Sequence, residues 1–351
     1  MNLFKKISNK DFLEFNRVLS LLLISKLSVI DSLQLINQQI QNEKFKEIIQ
    51  KIIRDIKGGN SLSKSFSKYP EIFSDIYIAN LKVAEETGYI AEVLTDFTAY
   101  QEKFVNLKKK IIQAVRYPIF VIFISIGVIF FMLFFLIPTF ESLFVSVKSN
   151  IPPLTKFLLN ISQYVVANYF ILFVLFIIIS FAMNSLFKSN SFQRNYFDKL
   201  ILNVPIVSSL FKMNLLARFS LSMAILLKSK VTLLDSLKIS KNVTKNSLFQ
   251  SEISKLIKKI IKGEGFTDNI KNSKFFDYTF TKLLAAGEAS AELTNVFQLI
   301  SEYYSEEFDH KLDNMTSFIE PVLILFVGTI IAVVLIAMYL PMFEIINYLG
   351  V

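Results

Sequence analysis

Apolar residues in this chain keep two rhythms. From Ile90 to Ile111 they fall at Ile90, Val93, Leu94, Phe97, Tyr100, Phe104, Leu107 and Ile111, steps of three and four that line one helix face. Leu293, Val296, Phe297, Ile300 and Tyr303 repeat that stripe late in the chain. Elsewhere the rhythm gives way to unbroken apolar runs. Tyr117–Pro138, "YPIFVIFISIGVIFFMLFFLIP", holds no charge, and its ~22 residues reach ~33 Å as a helix, enough for a ~30 Å hydrocarbon core. Tyr164–Phe187 and Pro321–Pro341 read the same way. Charge-free runs of this length are rare as buried core helices, so three transmembrane helices are expected. No stretch alternates with period two between hairpin signals, so no sheet is expected.

The two stripes belong to a longer duplication. "FNRVLSLLLISKLSVIDSL", Phe15–Leu33, aligns with "FSLSMAILLKSKVTLLDSL", Phe219–Leu237. "IKGGNSL" at Ile56 aligns with "IKGEGF" at Ile261, and "VAEETGYIAEVL" at Val83 with "AGEASAELTNVF" at Ala286. "YP" at Tyr117 answers "EP" at Glu320, and "IPTFE" at Ile137 answers "LPMFE" at Leu340. The offset stays between 203 and 205, so one soluble helical module with its own membrane helix is used twice. The second span has no counterpart and carries the chain back between the copies. Gly58-Gly59 and Gly263 each follow a Lys- and Ile-rich helix, where a left-handed residue would end it, and Asn60 and Ser61 can cap the next turn. Pro118 and Pro321 stand where the last helix of each module meets lipid, as a fresh helix start or a kink. Pro138 and Pro341 are expected to end those spans on the far side. The expected fold is an all-α membrane protein: two homologous cytoplasmic helical bundles of about six helices each, with three transmembrane helices.

Composition agrees with that reading. At 53% hydrophobic, the 351 residues leave a soluble chain too little polar surface to cover itself. The formal charge of +9 is unevenly placed: residues 1–116 hold 18 Lys and Arg, residues 188–320 hold 18, residues 139–163 only Lys148 and Lys156, and residues 342–351 none. The positive-inside bias then gives the order of segments. Residues 1–116 form a cytoplasmic domain, 117–138 the first span, 139–163 a short external loop and 164–187 the second span. Residues 188–320 form the second cytoplasmic domain, 321–341 the third span and 342–351 an external tail. Lys108, Lys109, Lys110 and Arg116 before the first span, with Lys188 and Arg194 after the second, sit where anionic phospholipid would hold them. The start, "MNLFKKISNKDFLEFNRVLSLLLIS", has too short an apolar core and no small-residue cleavage pattern, so it reads as the first soluble helix, with nothing removed.

Candidate chemistry is sparse. There is no cysteine, which excludes disulfides and thiolate metal sites, and one histidine, His310, among charged residues in "EEFDHKLDN". "KGGNSLSK" and "KGEGFTDN" lack the Gly-x-x-x-x-Gly-Lys-[Ser/Thr] spacing of a phosphate loop. Glu85 with Glu86 and Glu288 with Glu292 are weak candidates for a hard cation, set against solvated or capping carboxylates near a helix boundary. Glu320 is a carboxylate beside lipid, where such groups tend to be paired or functional, set against plain solvation at headgroup level, which is the preferred reading. No catalytic residue, cofactor site or metal site is assigned, and no enzyme activity is expected. An oligomeric small-solute transporter subunit stays open as the alternative. The first and third spans offer it only Ser125, Thr329 and Tyr339, with Gly127 and Gly328 as close-packing points between helices. The basic residues alternate with acids along helices, so no nucleic acid is expected as a partner.

These residues in this order resemble the type II secretion system F family, inner-membrane platform proteins of type II secretion, type IV pilus assembly and competence pseudopili. The marks that carry the resemblance are Glu85-Glu86-Thr87-Gly88, Tyr117-Pro118, Pro138-Thr139-Phe140, Gly287-Glu288, Glu320-Pro321 and Pro341-Met342-Phe343. Pro152-Pro153-Leu154-Thr155 in the outer loop and Asn203–Ser220 at the start of the second copy add to it, and in that copy the Thr-Gly is Ser290-Ala291. The resemblance implies a machine that assembles a pilin-like fibre. Its expected partners are a cytoplasmic secretion or pilus assembly ATPase, pilin or pseudopilins, other inner-membrane assembly proteins and further copies in a homo-oligomer. It implies the cell inner membrane, and the charge distribution adds a cytoplasmic N-terminus and an external C-terminus.

Overall fold

The computed structural model describes residues 7–139, 152–171, 174–175, 177–178, 181, 205–244, 246–271 and 273–349. The first part comprises α1 (Asn9–Ile24), α2 (Val29–Gln39), α3 (Glu43–Lys57), α4 (Leu62–Ser67), α5 (Asp75–Thr87) and α6 (Ile90–Phe131). A π-helical turn, Met132–Leu136, and α7 (Pro153–Ala167) follow. The rest is α8 (Pro205–Lys228), α9 (Leu233–Ser240), a 3-10 turn (Lys241–Val243), α10 (Ser247–Ile261), α11 (Phe266–Ile270), α12 (Tyr278–Ala289) and α13 (Leu293–Leu349). No strand occurs among the described residues. The chain divides into two compact units, Met1–Lys110 with Asn195–Asp309 and Ile111–Arg194 with His310–Val351.

In the first unit the two copies are built by the same local rules. Ser8, Ser28, Asn42, Ser61 and Ser74 each begin a helix by accepting a first-turn amide, and Thr232, Asn246 and Asp277 do so for α9, α10 and α12. The left-handed residues among those described fall in matching pairs: Lys26 and Lys230 (φ 63° and 64°), Gly59 and Gly263 (88° and 86°), Gly88 and Ala291 (79° and 58°). These pairs slide the expected match of Ile56 with Ile261 by one residue, because the turns that end α3 and α10 fall at Gly59 and Gly263. The cores match too. Phe15 meets Phe45 edge-on at 5.3 Å, and their counterparts Phe219 and Phe249 do the same at 5.3 Å. The expected stripe on the second copy needs one correction: Tyr303 is exposed, and Tyr304, a full four-residue step from buried Ile300, fills the core instead.

One helix belongs to both bundles. Leu215, Leu216, Phe219 and Met223 of α8 lie in the second core, while its Leu221, Ile225 and Leu226 lie in the first. This double burial explains why α8 has no polar face. Ile90–Thr139, Ser208–Lys228 and Leu293–Leu340 are each long and apolar enough to cross a membrane. The most apolar stretch of Ile90–Thr139 has none of its residues buried, whereas 61% of that of Ser208–Lys228 is, so packing between bundles accounts for the apolar character of α8. The expected span Tyr164–Phe187 lies partly outside the described residues; within it Tyr164, Tyr169, Phe170 and Phe181 are helical and exposed.

The second unit joins the far ends of the long helices. Pro118 lies inside α6 and Pro321 inside α13, so each is a residue within a long helix and not a fresh start. Pro341 does not stop its helix, which continues to Leu349. Pro138 is likewise helical, just past the π turn. The stretch expected as an external loop holds α7, which starts at Pro153, a proline comfortable in a first turn. Ile137, Leu159, Val334 and Met338 form a small core. Ser162 Oγ donates to the Leu133 carbonyl at 2.5 Å, inside the π turn, where the altered ladder needs an outside partner if it is to sit in lipid. A Cβ built at Gly127 or Gly328 meets no atom within 4 Å, so within one chain neither is the close-packing point expected.

Candidate functional site

The repeated glutamate of each copy closes a helix. Glu85 Oε1 accepts from the Leu62 amide at 2.6 Å, and its Oε2 from the Ser63 amide at 3.3 Å and the Ser63 hydroxyl at 2.9 Å. Glu288 does the same at α11, accepting from the Phe266 amide at 3.4 Å, the Thr267 amide at 3.0 Å and the Thr267 hydroxyl. The first amides of a helix have no partner in the helix and carry its positive dipole end. A carboxylate from the helix 22 residues on therefore ties α5 to α4, and its counterpart ties α12 to α11. The glycine-rich "KGGNSLSK" and "KGEGFTDN" lie at these same helix starts, so the anion they hold is the chain's own carboxylate. No cluster of three or more acidic, His or Cys residues arranged to hold a metal occurs among the described residues.

Backbone shape completes the motif. Gly88 ends α5 in the left-handed conformation, its amide donating to Ala84 at 2.9 Å. Ala291 occupies the matching turn at φ 58° after α12, so the shape survives where the glycine does not. Gly287 allows close approach: a Cβ there would come within 2.7 Å of Val296 Cγ2. A left-handed non-glycine residue costs about 1 kcal/mol, so Ala291→Gly is expected to raise stability by up to about 1 kcal/mol and Gly88→Ala to lower it by a similar amount. Matched denaturant titrations of the two variants check this, and equal shifts of the same sign would refute it.

At the start of the spans the copies touch through equivalent residues. Tyr117, before Pro118, donates its hydroxyl to Glu320 Oε1, before Pro321, at 3.0 Å. The carboxylate beside lipid is thus paired. Thr155, from the Pro-Pro-Leu-Thr stretch, is buried and donates its hydroxyl to the Ala337 carbonyl. Phe140 lies outside the described residues, and the side chains of Pro341 and Phe343 are likewise outside them. His310 is exposed.

Sequence reading missed the seam between the copies. Lys228 Nζ donates to Asp96 Oδ1 at 2.8 Å and Ser229 Oγ to Asn80 Oδ1 at 2.7 Å. Arg218 lays its guanidinium 3.8 Å above the Phe104 ring and donates to the Val243 carbonyl at 3.3 Å. Burial holds that guanidinium below arginine's usual pKa, while the Tyr100 phenolate would act in the opposite direction. One signal was available: the polar residues of α8, among them Lys212, Asn214, Arg218 and Lys228, gather on no single face, as expected of a helix packed on both sides.

The pattern of the family described as Type II secretion system (T2SS), protein F matches residues 15–138 and, a second time, residues 219–341. The chain belongs to the type II secretion system protein F family. Each match holds one bundle's helices with one long apolar stretch, as the duplication requires. A Type IV pilus assembly protein PilC of Thermus thermophilus is 30% identical over 343 residues, covering 97% of this chain and 84% of the relative. A Type IV pilus assembly protein PilC of Pseudomonas aeruginosa is 27% identical, covering 99% and 92%. A Type II secretion system protein F of Pseudomonas aeruginosa is 24% identical, covering 98% and 85%. The T2SS protein F family is one of platform proteins and not a known enzyme family, and with its long apolar helices the chain fits an inner-membrane protein.

Proposed function

We propose that this chain is the inner-membrane platform of a type IV pilus or type II secretion machine, coupling a cytoplasmic assembly ATPase to pilin or pseudopilin assembly. The observation that carries this reading is the double family match, each copy joining a packed bundle to a long apolar stretch within one helix, α6 or α13. Packed helices move as bodies and not by smooth deformation, which suits transmission of a conformational change. The chain lacks a phosphate loop, so it does not supply the energy by that route, which supports an ATPase partner as the source. The Lys and Arg distribution supports residues 1–116 and 188–320 in the cytoplasm and the segment after Pro341 outside. It also supports anionic headgroups around Lys109, Lys110 and Arg116, the first two exposed at the end of the first unit's share of α6.

A strain lacking the gene is expected to assemble no fibre or to export no substrate, and full-length Lys51→Cys or Glu252→Cys chains are expected to restore it. In that strain both thiols should react with an impermeant label only after the inner membrane is opened. Normal assembly without the gene overturns the platform role; labelling of either thiol from outside overturns the orientation.

A further inference from the structure

Within the first unit the copies meet along one seam, and the duplication implies a second. Ile225 and Leu226 of α8 and Ile239 of α9 pack into the first copy's core. Around them Lys228 pairs with Asp96 at 2.8 Å, and Asn242 Nδ2 donates to Asp75 at 3.4 Å. The α8–α9 face of the second copy thus sits on the α5–α6 face of the first. Each face has a counterpart elsewhere in the unit. The residues matching Ile225, Lys228 and Ile239 are Leu21, Ile24 and Leu35 on α1 and α2; those matching Asp75, Asp96 and Tyr100 are Tyr278, Leu299 and Tyr303 on α12 and α13.

All of these six counterparts are between 40% and 75% exposed, and they make up six of the eight large apolar residues exposed among the described residues of this unit. Exposed apolar residues scattered singly need no explanation. These are gathered on the two faces that the repeat marks as unused. Their chemistry also changes in step. The Lys228–Asp96 ion pair becomes Ile24 and Leu299, both partners turning apolar together, and Asn242 with Asp75 becomes Gln38 with Tyr278, an amide and a phenol.

We infer that a second copy of this chain covers these faces, with Leu21, Ile24 and Leu35 of one chain seated on Tyr278, Leu299 and Tyr303 of the other, in the arrangement of the internal seam. Each seam joins two different faces, but in a two-fold pair it occurs twice, once in each direction, so the dimer interface as a whole is isologous. Two chains that each give and receive it once complete a ring of four bundles in which internal and external seams alternate. At the internal seam Arg218 covers Phe104; the matching residues are Glu14 and Glu307. Two carboxylates there weaken the external seam at low ionic strength, so added salt strengthens it, the reverse of an ion-paired contact.

The native sequence has no cysteine, so engineered thiols are the sole ones. Full-length Ile24→Cys and Leu299→Cys chains carrying different tags, co-expressed and oxidised in native membranes, are expected to form mixed disulfide dimers, and either variant alone few or none. Leu299→Asp is expected to weaken association of the detergent-purified chain by about tenfold or more, and Ile24→Lys added to it to recover most of that loss by rebuilding the Lys228–Asp96 pairing. Self-dimers of Ile24→Cys as abundant as mixed ones overturn the inference. So does cross-linking of Leu299→Cys to another protein with no chain-to-chain product, or a Leu299→Asp chain that associates as the native one does.

Discussion

Truncating Phe219 to alanine is expected to lower the stability of the full-length chain by about 3–5 kcal/mol. The ring is fully buried and meets Phe249 at 5.3 Å, Phe276 at 6.0 Å and Phe297 at 6.3 Å. Two helices, α10 and α13, and the loop before α12 therefore lose a common partner, and rings so placed cannot all move in to fill the space. The loss also reaches the first bundle, because α8 carries Leu221, Ile225 and Leu226 on its other side. Denaturant unfolding of the detergent-solubilised chain measures the first effect. Hydrogen exchange in α5 and α6, which Phe219 does not touch by ring contact, measures the second. A loss below about 1 kcal/mol would mean that the second core collapses around the gap.

Glu288→Ala is expected to cost about 2 kcal/mol and to open α11 locally. The carboxylate supplies the helix start with charge-assisted bonds to the Phe266 and Thr267 amides, and the N-cap residue Gly265 offers no side-chain acceptor. Glu85→Ala should be milder at its own helix, because Ser61 still accepts the Lys64 amide at 3.3 Å. Glutamine at either position keeps the shape at roughly half the bond strength, so it should lie between wild type and alanine. Amide exchange at residues 62–67 and 266–270 reads both helices in each variant. Unchanged protection of α11 in Glu288→Ala would show that the cap is dispensable.

Much of this was legible before any coordinates. The duplication, the helical period from Ile90 onward and the charge-free runs are linear features, set by spacing and composition, and they survive into the fold. The turn after α3 was visible as Gly58-Gly59 because a left-handed position favours glycine. The left-handed turn at Ala291, the counterpart of Gly88, was hidden, since alanine carries no mark of the strained conformation it adopts. The helical course through Pro341 was hidden as well. A proline ends a helix only where no neighbour or altered ladder accommodates it, and the sequence does not say which neighbours exist.

The role of Glu85 and Glu288 shows the same limit at the candidate site. Their repetition marked them, but a carboxylate that caps a helix and one that holds a cation look alike in sequence. The choice depends on which amides stand within 3 Å or so, and those come from a helix more than twenty residues away. Tyr117 and Glu320 were likewise read as separate marks of two spans; their hydrogen bond joins them.

By itself the sequence determined that one helical unit is used twice, where α3 and α10 end, and which stretches suit lipid. These are local matters of period, capping and charge. Tertiary structure alone decided that α8 serves two cores, that the copies join through Lys228 and Asp96, and that the matching apolar faces on α1–α2 and α12–α13 stand open. A helix face has no partner until the chain folds back on itself, so contacts between residues more than a hundred positions apart are written only in space.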